Sequence, residues 1–537
     1  MAVEKLSMYH QDDSMPITLS KKEKRLYMSF ISFAVISLLI GGLMGLLQVL
    51  VRSGKFNLPA WLDYYQVLTV HGVILALVMT TFFIIGLQFS LMGKTVGMSE
   101  TQYKLGWISF WTMLIGTIMA ASMVLLGKAS VLYTFYAPLK AHPVFYIGLA
   151  LVIVGSLIAA FVNFRQLYVW KKKHPGEKSP LPAFMVVSNM IMWTIACIGV
   201  VVTVLFQFIP WSLGYAATID VLLSRTLFWY FGHPLVYFWL LPAYMAWYAI
   251  IPKIIGGKIF SDALAKFSFV LFIFFSIPVG LHHQFTEPGL DTTWKFIQTV
   301  LTFMVVIPSL MTAFSMFATF EITGRKKGYT GLFAWLKGLP WKDVRFLAPF
   351  IGMLAFIPGG IGGLINASYQ MNTLVHNTIW VTGHFHLTVA TTVVLTFFGI
   401  SYWLIPHLTG RKLTKKINNL GIAQTIFWAV GMTIMSTAMH IQGLLGGPRR
   451  SNYSEYAGGE QVMEWGWYQM AQAIGGSILF IAIILMVYIA IHLTFFSPKG
   501  KQEYPLAEEE ENAEPTPKWM ERWGLWIGIT IALILFA

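Results

Sequence analysis

Long apolar runs alternate with short polar connections from one end of the chain to the other. Thirteen such runs can be marked, at residues 27–51, 64–92, 105–128, 143–170, 183–210, 221–251, 262–283, 292–321, 344–369, 374–406, 418–445, 464–496 and 520–537. A helix rises 1.5 Å per residue, so about 20 residues cross the ~30 Å hydrocarbon core of a bilayer. Lipid offers no partner to backbone N–H and C=O groups, so runs of this length are read as helices. The predicted fold is all-α, a polytopic membrane protein of about thirteen transmembrane helices. Residues 1–26 form an N-terminal segment and 27–497 a twelve-helix core. Residues 498–519 read as an acidic linker and 520–537 as a thirteenth, shorter span.

Composition agrees with that pattern. Of 537 residues, 56% are hydrophobic and only 11% charged. Lys and Arg divide unevenly between the two sets of loops, 29 on the side of the N-terminus against 8 on the other. Positive charge collects on the cytoplasmic side, which places the N-terminus in the cytoplasm of a multi-pass cell-membrane protein. The net charge of +14 is spread over short loops rather than one face, so nucleic acid is not the expected partner; membrane lipid is. The first run is too long for a secretory signal and follows a basic segment, so it reads as a retained helix. Cys197 is the single cysteine and lies in an apolar run, which excludes internal disulfides and any site built on two thiolates. The run Glu508–Glu511 reads as a solvated, partly disordered stretch.

Thirteen histidines carry the chemistry. His10 and His174 lie in polar segments, and His142, His407, His440 and His492 stand alone near span ends. The other seven are His71, His233, His282, His283, His376, His384 and His386. Imidazoles inside lipid-spanning segments are costly and point to function. In the stretch VHNTIWVTGHFHL, His384 and His386 are two apart, roughly 200° around a helix, so they serve two different partners. His71, His233, His282, His283, His384 and His386 all fall between the face opposite the N-terminus and mid-bilayer, a single buried layer. The adjacent pair His282–His283 can converge with His233 on one ion, and three neutral nitrogens suit copper or zinc with one position left open. Tyr237 lies one turn beyond His233 on the same face and could donate a hydrogen atom there. An ordinary core tyrosine is the plain alternative.

The motif GHPLVY at 232–237, the His282–His283 pair and GHFH at 383–386, with His71 upstream, resemble subunit I of the haem–copper oxygen reductases. Leu235 stands where A-type members carry a Glu, and the resemblance is to the B-type, the cytochrome ba-type terminal oxidases. That resemblance implies a proton-pumping oxidase that reduces O₂ to water. His71 and His386 would ligate a low-spin haem of b type, and His384 a high-spin haem of a or o type. Copper B would lie on His233, His282 and His283, with Tyr237 joined covalently to His233. Arg449, Arg450, His376 and Asn377 would hold haem propionates. Tyr244, Tyr248, Ser309, Thr312 and Ser315 would form a proton path from the cytoplasm. Asn372 departs from the Asp of close relatives and puts carboxylate-based proton loading there in doubt. A subunit II carrying copper A, a small single-helix subunit and cytochrome c as electron donor are the implied partners. Two other classes compete. A nitric oxide reductase of the same superfamily would add a Glu ligand and lack the Tyr. A haem-free transporter would show inverted repeats.

Overall fold

The computed structural model describes residues 17–452, 460–509 and 516–536. Twelve helices among them are long and apolar enough to span a membrane. They are α1 Lys21–Arg52, α2 Tyr64–Thr95, α3 Glu100–Leu125, α4 Pro143–Lys173, α5 Leu181–Leu213 and α6 Val221–Ile254. The remaining six are α7 Asp262–Gln284, α8 Thr292–Lys326, α9 Val344–Ala367, α10 Ile379–Thr409, α11 Lys415–Leu444 and α12 Glu464–Phe496. The last apolar run forms α13, Trp523–Phe536. Its 14 residues rise only about 21 Å, short of the hydrocarbon thickness. His10 and Glu510–Glu514 fall outside the described residues.

Helix starts are set by local chemistry. Ser20 with Glu23, Asp63 with Gln66 and Ser99 with Gln102 each form a reciprocal capping box at the head of α1, α2 and α3. Each box satisfies backbone donors that the helix cannot bond internally. Between neighbours, small residues let backbones approach. A Cβ on Gly116 of α3 would lie 2.5 Å from the Gly148 carbonyl of α4, and one on Gly475 of α12 would lie 2.6 Å from the Gly431 carbonyl of α11. Without a hydrophobic drive inside lipid, close approach of this kind is what joins helices.

Burial ranks the helices in a telling order. The four most enclosed are α6, α10, α2 and α7, with 89, 83, 72 and 72% of their apolar windows inside the protein. These are the helices that carry His233, His384 and His386, His71, and His282 and His283. The expected layer of imidazoles therefore sits at the centre of the bundle rather than on its lipid surface.

Three departures from the expected pattern matter. First, the run at 374–406 does not form one helix. Tyr369–Val375 is a short helix of its own, and the chain turns at His376 and Asn377, with φ +58° at Asn377, before α10 begins. His376 and Asn377 thus sit in a connection at the bundle end, not within a span. Second, α2 and α10 widen into π-helical turns at Val73–Met79 and Thr388–Val393, immediately after His71 and His386. Such turns recur at functional sites, where they re-aim side chains. Third, the acidic segment is docked where it is described, instead of trailing free. Ala507 N–H donates to the Ala249 carbonyl at 2.7 Å and Ile259 N–H to that of Glu508 at 3.0 Å. Tyr504 is buried, with its hydroxyl 3.0 Å from Ser90. Glu508 remains largely exposed and pairs with Lys253 at 2.9 Å.

Beyond that segment, a buried ion pair ties the C-terminal stretch to the core. Lys266 meets Asp262 at 2.9 Å, both almost fully buried, and Lys266 also donates to the Ser179 carbonyl. The Thr516 hydroxyl donates to Asp262, and Glu521 pairs with Lys171 and accepts from Ser179 N–H. Removing one partner of a buried pair leaves a charge in low dielectric, at a cost of roughly 3–5 kcal/mol. Lys266→Met should accordingly lower the thermal midpoint of the purified protein sharply. The double change Lys266→Met with Asp262→Leu should recover most of the loss. An additive double mutant would show that the two groups do not support each other.

Candidate metal centre

The unwound end of α7 builds the first part of the site. Regular helix stops at Ser276, and a 3₁₀ turn at Leu281–Gln284 presents the two adjacent histidines. Gln298 of α8 holds this turn. Its Oε1 accepts from Gly280 and Leu281 N–H at 3.0 and 3.2 Å, and its Nε2 donates to the Pro278 carbonyl at 3.0 Å. Facing it on α6 is His233. The candidate ligand atoms of His233, His282 and His283 all lie within 4.8 Å of one another.

The protonation pattern can be read from the partners. Thr302 donates its hydroxyl to the Gln298 carbonyl at 2.6 Å and lies 3.2 Å from His282 Nδ1. With its one proton used, the Thr302 oxygen accepts from His282 Nδ1–H, which leaves Nε2 of His282 as a bare lone pair. His233 Nδ1 and His283 Nε2 approach to 3.3 Å. His233 Nε2 is buried with no hydrogen-bond partner. Trp229 stacks on His283 with ring centres 3.9 Å apart and fixes its plane. Converging lone pairs of neutral imidazoles in a buried pocket fit a soft or borderline cation such as copper. Among the described residues no carboxylate joins the cluster. The ring of Tyr237 lies beside it, 4.9 Å from that of His233.

His71 and His386 form a second arrangement. Their rings are parallel within 9° and their centres 6.2 Å apart, too far for a stacking contact. His71 Nδ1 lies 2.8 Å from the Gly41 carbonyl and His386 Nδ1 2.8 Å from that of Thr382. Each Nδ1–H is used, so each Nε2 is free to ligate. With metal–nitrogen distances of about 2.0–2.1 Å and about 1.1 Å from nitrogen to ring centre, two imidazoles on one metal would have centres about 6.3 Å apart. The observed spacing fits a bis-imidazole metal. Gly45 lets His71 reach this position, since a Cβ there would lie 2.7 Å from His71 Cε1.

His384 opens the other way. It packs on α9, where a Cβ on Gly362 would lie 2.6 Å from its Nδ1, and the Trp380 ring lies nearly parallel to it with centres 5.9 Å apart. One helix thus offers one imidazole toward α2 and another toward α9, as the two-residue spacing requires.

At the bundle end near these groups, cations outnumber anions among the described residues. Arg449 donates to the Asn377 side chain, and its N–H bonds the Asn377 carbonyl, both at 3.1 Å. Arg450, with φ +61°, lies over the rings of Tyr133 and Tyr136. Arg225 pairs with Glu287 at 2.7 Å. Arg449 Nε and Arg450 Nη2 are buried with no partner among the described residues. Burial and the adjacent Arg450 push Arg449 down to about 10. Burial, then Arg449, Arg450 and Arg225, push His376 down to about 4, so it stays neutral at physiological pH. A pocket with this many unmet donors fits carboxylates such as haem propionates. Asn372 is fully buried here. Its oxygen lies 3.2 Å from His376 Nδ1, and its amide donates to Asn366 at 2.7 Å.

On the other side of the cluster, hydroxyl groups line α6 and α8. Tyr244 lies against Ser309, and Tyr248 against Thr312, Ser315 and Ser268. Ser309 and Thr312 donate back to carbonyls four residues earlier, at 3.2 and 2.9 Å, leaving oxygen lone pairs to accept. The hydroxyls of Tyr248 and Ser315 are buried within this group, with polar atoms able to bond water.

The remaining histidines have structural partners. His142 caps α4, and His174, His407 and His440 bond carbonyls of Trp170, Gln502 and Ser436. His492 meets Ser497. Several contributing residues escaped the sequence reading: Thr302, Gln298, Ser268, Tyr133, Tyr136 and the Arg225–Glu287 pair. Gln298 and Thr302 did leave a trace, polar residues four apart that share one helix face, in a stretch where Thr299 is also polar.

Comparison with known proteins agrees with this geometry. The family described as cytochrome c and quinol oxidase polypeptide I matches residues 25–478. Cytochrome c oxidase subunit 1 of Thermus thermophilus is 39% identical over 529 residues, covering 96% of this chain and 93% of that protein. Quinol oxidase subunit 1 of Bacillus subtilis is 26% identical over 456 residues, covering 80% and 66%. A solved heme–copper terminal oxidase dimer superposes with a TM-score of 0.91 at 38% identity, covering 96% of this chain and 92% of that one.

The Thr302 hydroxyl carries a direct test. Groups that orient a metal-ligating imidazole typically contribute 10–100-fold to metal affinity. Thr302→Val should reduce metal retained at the three-histidine cluster by about that factor after dialysis against a chelator. Unchanged metal content would reduce Thr302 to a packing role.

Proposed function

The chain belongs to the cytochrome c and quinol oxidase polypeptide I family, and on that premise we propose that it is the catalytic subunit of a B-type, proton-pumping terminal oxidase. It is an integral membrane protein and an oxidoreductase that reduces O₂ to water. Its cofactors are a low-spin haem, a high-spin haem and copper B, which supply electron transfer and oxygen reduction when bound. His71 and His386 hold the low-spin haem, of b type, and His384 holds the high-spin haem, of a or o type. His233, His282 and His283 hold copper B. The single observation that carries this assignment is the pair of unlike imidazole arrangements flanking α10. One is a parallel pair spaced for a bis-histidine metal, the other a converging triad with free lone pairs.

The protein's own groups then divide the remaining work. The Nδ1–H bonds of His71 and His386 to backbone carbonyls orient each ring and keep Nε2 unprotonated. Thr302 does the same for His282. Tyr237, joined to His233, holds a proton and an electron beside the triad. Arg449, Arg450, Asn377 and the neutral His376 receive the propionates. Tyr248 with Thr312 and Ser315, then Tyr244 with Ser309, pass protons inward from the cytoplasmic face, where the N-terminus lies. Leu235 cannot conduct protons where other members have a Glu, which supports a single hydroxyl-lined route. The B-type assignment rests on that position and on the 39% identity with the Thermus thermophilus protein.

Within the cell membrane, a subunit II carrying copper A delivers electrons from cytochrome c, because one cysteine cannot build copper A here. A small single-helix subunit completes the assembly.

Two substitutions separate the roles. His384→Ala should remove the high-spin haem while sparing the low-spin spectrum, as read by pyridine haemochrome and difference spectra; two intact haems would contradict the assignment. Tyr237→Phe should lower oxygen consumption by several orders of magnitude with haem and copper content retained. Turnover near the wild-type rate would leave Tyr237 as packing only.

A further inference from the structure

At the N-terminal end of α1 a groove of about 520 Å³ opens on the protein surface, far from the imidazole layer. Three cations line one end, Lys21, Lys24 and Arg25, and Phe33, Ile36 and Phe110 line the other. Its two ends therefore differ in kind, one suited to an anion and the other to hydrocarbon.

Among the described residues no acid consumes these cations. Glu23 folds back to accept from Ser20 N–H, and Glu100 is 3.9 Å from Lys22, which faces away from the groove lining. Lys24 donates one bond to the His407 carbonyl at 3.2 Å, which fixes its ammonium at the groove wall with donors to spare. Among the described residues no ion pair within 4 Å engages Lys21, Lys24 or Arg25.

Length supplies the second constraint. Arg25 and Ile36 are eleven residues apart on one helix, a rise of about 16 Å. One leaflet contributes about 15 Å of hydrocarbon. The groove thus starts at headgroup level and ends at chain-terminus level. Ile36 and Ile40 beyond it are half-exposed, as for a lipid-facing surface.

We propose that this groove seats one anionic phospholipid of the leaflet on the N-terminal side. Its phosphate lies among Lys21, Lys24 and Arg25, and one acyl chain runs along Phe33, Ile36 and Phe110. Charge complementarity selects the headgroup, and the aromatic wall orders the chain. A zwitterionic lipid fits the apolar half equally well but places its own cation against three others. The site is independent of the oxidase chemistry, because none of its residues belongs to the metal centre or the proton path.

The test uses the intact purified oxidase complex. It is reconstituted in nanodiscs of phosphatidylcholine doped with phosphatidylglycerol, and retained lipid is read by native mass spectrometry. The wild type should retain one phosphatidylglycerol. Each basic side chain near a membrane surface contributes about 1 kcal/mol, or about fivefold. K21Q/K24Q/R25Q should therefore weaken retention by about a hundredfold. S32W keeps every charge but fills the groove, and it too should lose the lipid. Both variants should keep the wild-type haem spectrum, which reports folding. Equal retention of phosphatidylcholine, or wild-type retention of phosphatidylglycerol in both variants, would overturn the proposal. So would displacement of the lipid by millimolar inorganic phosphate, which would mark a free-anion site.

Discussion

The structure depends on one repeated interaction, a buried imidazole whose Nδ1–H is given to an oxygen so that Nε2 is left bare. Gly41, Thr382 and Thr302 supply those oxygens to His71, His386 and His282. In lipid neither nitrogen can be left to water, so each ring must find two partners or lose several kcal/mol. The protein supplies one, and the lone pairs that remain face each other across gaps sized for a metal. A core assembled this way is frustrated without its ions and satisfied with them, which couples cofactor binding to the fold.

The oxygens given to these imidazoles come from regular helical turns: Gly41 in α1, Thr382 early in α10 and Thr302 in α8. Beside the ligands themselves the scaffold departs from the regular ladder of backbone bonds between residues four apart. The free turn after Ser276 and the π-helical turns after His71 and His386 break that ladder next to the ligands. Glycine serves the same purpose in space. At Gly45 and Gly362 a side chain would occupy the volume that His71 and His384 fill. The long capped helices toward lipid hold these irregular segments in register.

How much of this was legible in the sequence follows from what kind of signal each part leaves. Spans are visible because lipid imposes length and apolarity on every one of them, and twelve of the thirteen runs contain a helix long and apolar enough to span. The six ligand candidates are visible because histidine is rare in such runs, and the two-residue spacing of His384 and His386 encodes their opposite directions. The partners of those imidazoles leave almost no trace. A backbone carbonyl has no letter in the sequence, and Thr302 looks like any threonine bonded to its own helix. His376 and Asn377 were misplaced within a span because a turn at Asn377 is a matter of φ, not of hydropathy. The acidic segment at 503–509 looked free because its charges are exposed. Its docking relies on Tyr504 and on backbone bonds that charge patterns do not show.

Asn372 shows how geometry constrains a departure that sequence alone leaves open. The amide is fully buried, bridges Asn366 and His376, and carries no charge at any pH. An acid there could hold a proton; an amide can only orient its neighbours. Burial, and after it the guanidiniums of Arg449, Arg450 and Arg225, hold His376 neutral down to about 4; a carboxylate bound among them would oppose that shift. The excess of buried cations among the described residues becomes intelligible on those terms: the protein supplies the positive field, and a haem propionate held there would bring the negative charge that Asn372 cannot provide.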